Sequence, residues 1–88
     1  MEIKPVHIPL HQVPSGERAV VQEVRGGHGI MSRLATLGFT PGALLTVIQN
    51  FGRGPIIVSV RDARIALGRG EAGSVHVVIE KKGSGPNE

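Results

Sequence analysis

The chain reads as a small, mainly β domain: a barrel of five short strands with one α-helix inserted between the first strand and the second. Three observations predict it. Eighty-eight residues make one domain, and area scaling lets a chain of this size bury roughly 63% of its unfolded surface, enough for one modest core. Thirteen glycines and six prolines interrupt the chain often, and between them valine and isoleucine dominate the apolar set and favour strands. Only one segment carries a helical period.

Residues 1–16 are extended and punctuated by Pro5, Pro9 and Pro14. Glu17–Val24 is the first strand. Ala19 and Val21 share a face and Val24 breaks the parity, which marks a bulge. Gly26-Gly27-His28-Gly29 is a flexible connector. The helix is Ile30–Leu37, with Ile30, Leu34 and Leu37 at i, i+4 and i+7, and Met31 and Ala35 widening the stripe. Gly38 stands at C′, where a left-handed residue ends a helix. Phe39 at C″ and Leu34 at C3 then form the apolar pair of a Schellman motif. Thr40-Pro41-Gly42 suits a type II turn, proline setting φ and glycine taking the positive φ.

Ala43–Gln49 is the second strand, Asn50–Gly54 a glycine-rich loop, and Pro55–Arg61 the third strand. Ile56, Val58 and Val60 share its inner face; Ile57, Ser59 and Arg61 share the other. Asp62-Ala63 is a tight reversal into the fourth strand, Arg64–Leu67. Gly68–Gly73 is a turn with room for one helical turn around Glu71-Ala72. Ser74–Glu80 is the fifth strand, with Val75, Val77 and Ile79 inward and His76, Val78 and Glu80 outward. The domain is residues 1–80; residues 81–88 form a flexible polar tail. So small an aliphatic sheet would otherwise expose its edges, which favours closure or near closure. SH3-like and OB-like barrels both fit, and a helix between strands one and two with tight later hairpins favours SH3-like.

Composition excludes several functions. There is no cysteine, hence no disulfide framework, zinc knuckle or thiol nucleophile. No apolar run approaches the roughly 18 residues of a membrane span, and the proline-broken N-terminus has no signal-peptide core. The expected address is cytoplasmic, without membrane insertion. The net charge is +3, from ten Lys/Arg against seven Asp/Glu, which suits nucleic acid or an acidic protein. Two phenylalanines, Phe39 and Phe51, cannot build the stacking platforms of single-strand binding, so no nucleic-acid partner is expected.

His7 and His11 have the i, i+4 spacing of a helical metal pair, but Pro9 between them breaks such a helix. His28 and His76 read as scattered surface histidines, and Asp62, Glu71 and Glu80 have no ligand spacing. No metal ligand and no tightly bound cofactor is therefore expected. The loops G-R-G-P (Gly52–Pro55) and G-R-G-E (Gly68–Glu71) lack a Walker lysine and open no strand–loop–helix unit. Ser15 and Ser32 have no nearby base. With no nucleophile, base and orienting group in view, the chain is not expected to be an enzyme.

R-L-A-T-L-G-F-T-P-G, Arg33–Gly42, resembles the R-L-x-x-L-G-(hydrophobic)-x-P-G signature of the FeoA family of ferrous iron transport proteins. I-P-L-H-Q-V-P-S-G-E resembles that family's opening. A-L-L-T-V-I resembles its strand after P-G. P-I-I-V-S-V-R-D-A-R-I-A-L-G-R-G-E-A and S-V-H-V-V-I-E resemble its later segments, so that the likeness covers residues 8–80. Gly68 and Gly70 depart from it, which predicts a looser exit from the fourth strand. The resemblance implies an SH3-like barrel with a helical insertion. It also implies a cytoplasmic accessory of FeoB, the membrane Fe(II) transporter with an N-terminal GTPase domain. Fe(II) is then the transported ion and not a ligand of this chain. The alternative is a stand-alone SH3-like regulatory module of the iron-dependent repressor type, because the same barrel closes those repressors. Self-association is left open.

Within the signature, Leu34, Leu37, Gly38, Pro41 and Gly42 are explained by packing, capping and turn chemistry. Arg33 lies off the apolar stripe, where it pairs internally, with Glu71 for instance, or meets a partner. The expected partner-binding residues are Met31, Arg33 and Phe39 on the helix and its adjoining turn, with Phe51 and Arg53 in the glycine-rich loop, because aromatics and arginines dominate interface energies. Phe39 serves there if exposed and as the cap contact if buried.

Overall fold

The computed structural model describes residues 7–80. The first six residues and the tail 81–88 lie outside that range. In chain order the elements are β1 (Ile8–Pro9), a 3-10 turn (Leu10–Gln12), β2 (Arg18–Val24), α1 (His28–Leu37), β3 (Leu44–Gln49), β4 (Ile56–Val60), β5 (Ala63–Leu67), α2 (Arg69–Gly73) and β6 (Val75–Ile79). The strands form one antiparallel sheet in the order β1-β6-β2-β3-β4-β5. This is the mainly β architecture that the sequence predicts. A sixth, two-residue strand is added because Ile8 and Pro9 pair with Val77 and His76. Among the described residues no ladder runs from β5 back to β1. The 3-10 turn that follows β1 packs instead against α2, which follows β5.

The alternation seen in the sequence becomes the core. Ala19, Val21, Leu45, Val47, Ile56, Val58, Val60, Leu67, Val75 and Val77 point inward from five strands, and Leu10, Val13, Leu34, Phe39 and Ala72 close the ends. The bulge expected in the first strand is present: the β2–β6 register shifts between Val21 and Glu23. A second shift falls between Val47 and Gln49 on β3, around the exposed Ile48.

Four expectations are corrected. The helix begins two residues early, at His28, with Gly27 as N-cap. Its buried stripe is narrower than the period suggests, since Ile30 and Met31 are exposed, Ala35 also faces solvent, and only Leu34 is fully buried. The reversal after β4 is Arg61-Asp62, not Asp62-Ala63: both have positive φ, 51° and 66°, and Val60 pairs with Ala63. This is a type I′ turn, which needs positive φ at both central positions to match the twist of its strands, and that requirement outweighs the residue preference. Finally, Gly68–Gly73 is not loose. Its last five residues wind into α2, with Glu71 Oε1 accepting the N–H of Gly68 at 3.4 Å.

Candidate functional site

The end of α1 is built as its sequence demands. Gly38 has φ 109°, and its N–H donates to Ala35 O at 3.0 Å while that of Phe39 donates to Leu34 O at 3.0 Å. These are the two bonds of a Schellman motif. Phe39 is 1% exposed and Leu34 0%, so Phe39 is the buried cap contact and does not serve as a surface anchor. Ala43 N–H donates to Thr40 O at 2.9 Å and Gly42 has φ 90°, which completes the type II turn.

Arg61 then crosses this corner from the β4–β5 hairpin. A Cβ on Gly38 would meet its Cδ at 3.3 Å, and Nη2 donates to Thr40 Oγ1 at 3.4 Å. The last turn of α1 carries no basic residue, so Arg61 supplies the positive charge that a helix C-terminus favours.

The rest of α1 faces outward. Met31 is 43% exposed and Ile30 41%. Arg33 forms an ion pair with Glu71, which ties α1 to α2 while leaving the Arg33 side chain 64% exposed.

The glycine-rich loop is fixed by polar contacts to distant residues. Asn50 Nδ2 donates to Val13 O at 2.7 Å and His11 O at 3.0 Å. Its N–H donates to Ser15 Oγ at 2.7 Å, and its Oδ1 accepts Gly52 N–H at 3.0 Å. Arg69 donates to His11 O at 2.9 Å, Gly54 O at 3.2 Å and Asn50 Oδ1 at 3.3 Å. On this support Phe51 projects with 74% of its surface exposed, and Arg53 is exposed beside it.

The two halves of the expected surface are therefore not adjacent through β3–β4. The α1 turn abuts Val60 and Arg61, whereas the Phe51 loop leaves the other end, beyond Gln49 and Ile57. α2 stands between them, reaching α1 through Glu71 and the loop through Arg69. Sequence reading missed Asn50, Arg69 and Arg61. An asparagine opening a glycine-rich loop was the available signal for the first; nothing local marks the two arginines. His7 is exposed, and His11 sits in the 3-10 turn with Nδ1 buried and unbonded. Among the described residues no group of three or more His, Cys, Asp or Glu is placed to hold a metal ion, and no helix is long and apolar enough to cross a membrane.

A family model for the FeoA domain matches residues 8–79, which is nearly all of the described chain. The chain belongs to the FeoA family. It is similar to the Putative Fe(2+) transport protein A of Methanocaldococcus jannaschii, 39% identical over 91% of this chain and 95% of that protein. Among solved structures it is similar to an iron uptake regulatory protein, FeoA, at 37% identity and a TM-score of 0.80, covering 85% of this chain and all of that one. The FeoA of Stenotrophomonas maltophilia, solved with zinc and described as an SH3 domain protein, matches at 33% identity and a TM-score of 0.70, covering 83% of this chain and 89% of that one. The SH3-like fold and the ferrous iron transport family are thereby shown for this FeoA domain.

Proposed function

We propose that this FeoA protein is a cytoplasmic accessory of the membrane Fe(II) transporter FeoB, docking on its cytoplasmic side and supporting Fe(II) uptake without chemistry of its own. The observation that carries this is the match at 39% identity along 95% of a protein named for Fe(2+) transport.

A module of this kind acts through its exterior. Two exposed features suit a protein partner: Met31 and Arg33 on α1, and Phe51 with Arg53 on a loop held rigid by Asn50 and Arg69. The loop's rigidity lowers the entropy lost on docking.

The test is a pull-down of the full chain against the cytoplasmic part of FeoB, with a salt titration of nucleic-acid binding beside it. Retention by FeoB is expected, with weakening in Arg53→Glu and in Arg33→Glu while both stay folded. Failure of the wild-type chain to bind FeoB, or tight salt-dependent binding to nucleic acid, sinks the proposal.

A further inference from the structure

The two edges of the sheet are unlike. β1 is two residues long and ends in Pro9, which has no N–H to offer a neighbouring strand. β5 has five residues and no proline, and among the described residues its ladder is to β4 alone. Ala63, Arg64 and Ala66 are exposed and Ile65 is half-buried.

The hairpin decides which backbone groups of β5 are spare. Val60 and Ala63 flank a two-residue turn and form its hydrogen-bonded pair. Antiparallel pairs alternate, so Arg64 and Ala66 turn their N–H and C=O away from β4. Neither backbone bonds to another element among the described residues. The same two residues sit on the outer face of the sheet, Arg64 beside Ser59 and Ala66 beside Ile57. Ile57 is half-buried, and Ile48 on the next strand is 40% exposed.

Charge singles out the same edge. Arg18, Arg25 and Arg33 pair with Glu80, Glu23 and Glu71, and Arg61 and Arg69 bond to neutral oxygens. Among the described residues Arg53 and Arg64 have no carboxylate partner. Arg64 lies on the edge strand itself, whereas Arg53 lies in the loop before Ile56.

We propose that β5 is a docking strand. An extended acidic segment of a protein partner adds to the sheet along Arg64–Ala66, bonding to their spare N–H and C=O groups. It places an acidic side chain beside Arg64 and a large apolar one beside Ala66. A second copy fits less well: two β5 strands paired antiparallel about Ile65 would bring both Arg64 side chains to one face with no carboxylate between them. This rests on the transporter-accessory reading only in taking the partner to be a protein.

The experiment titrates the isotope-labelled full chain with a blocked synthetic peptide, TEVFVET, followed by amide shifts and hydrogen exchange. Expected are shifts confined to β5 and its neighbours, and protection of the Arg64 and Ala66 amides. The peptide TKVFVKT should bind about tenfold more weakly or not at all. Ala66→Pro removes a spare N–H and no ladder donor, and Arg64→Glu reverses the charge. Each should weaken TEVFVET binding at least about tenfold. If Ala66→Pro does not fold, Arg64→Glu decides.

Shifts that map elsewhere, equal binding of the two peptides, or unchanged binding by Arg64→Glu would overturn the proposal. So would a dimer that Ala66→Pro dissolves, with no peptide binding, because the occupant is then a second copy. If FeoB binds the wild-type chain while the peptide fails these tests, the docking strand is refuted and the transporter reading stands. If FeoB binds neither while the peptide binds as expected, the transporter reading fails and the docking strand stands.

Discussion

Two corners of the domain hold their chain by different means. At the Gly38 corner, the bonds that close the helix and turn join residues three to five apart: Gly38 to Ala35, Phe39 to Leu34, Ala43 to Thr40. At the Asn50 corner, Asn50 reaches residues 35 to 39 positions away, and Arg69 reaches His11 across 58. The cap and turn of the first corner follow from its short sequence, because a left-handed glycine and an X-Pro-Gly turn are local preferences, and only its bonds to Val21 and Arg61 come from the sheet. The second exists only after β1, β3 and β5 have assembled, because the carbonyls of His11 and Val13 and the Ser15 hydroxyl are brought to Asn50 and Arg69 by the sheet. The first sets the direction of the chain. The second sets the shape and stiffness of the exposed Phe51 loop.

Substitutions can break or sharpen this contrast. Gly38→Val should have the largest effect, a loss of about 3 kcal/mol, at the top of the range for backbone strain. A β-branched residue resists φ 109°, and its Cβ would press on Arg61. Urea unfolding checks it, and an unchanged midpoint would show that the corner does not depend on left-handed geometry. Asn50→Ala should cost about 2 kcal/mol, since it orphans the carbonyl of Val13 and leaves that of His11 with Arg69 as its remaining donor. It should also raise hydrogen exchange through Phe51–Gly54 while leaving α1 protected. Loss of protection at α1 as well would mean the two corners are one cooperative unit.

Arg69→Lys should cost about 1 kcal/mol, because one ammonium cannot replace a planar fork spread over three acceptors. A double-mutant cycle with Asn50→Ala should show coupling, since the two side chains share a bond; strict additivity would argue that they act separately. Arg33→Ala should be the mildest, below about 0.5 kcal/mol, as the Arg33 side of its pair with Glu71 is 64% exposed. A loss of several times that amount in a thermal melt would make the α1–α2 pair a structural tie.

The strand pattern, the β2 bulge, the helix and its cap, and the type II turn were all legible in the sequence, because period and turn chemistry are properties of neighbouring residues. So was the FeoA signature, for the same reason: Leu34, Gly38, Pro41 and Gly42 are at once its pattern and its local geometry. The helix stripe was legible only in part. Ile30 fits the period yet is exposed, because periodicity gives a face and not the extent to which the sheet covers it.

Other features were decided by the tertiary structure alone. Phe39 had two open roles, and burial against Leu34 chose between them. Arg61 took positive φ because a two-residue hairpin demanded it, and its side chain then found Thr40 across 21 positions. Asn50 and Arg69 became anchors because the packing of the 3-10 turn on α2 places backbone oxygens within their reach. A hydrogen bond needs its partner within about 3 Å. Sequence fixes such distances only along a turn or a helix; across the sheet they follow from how the strands pair and curl.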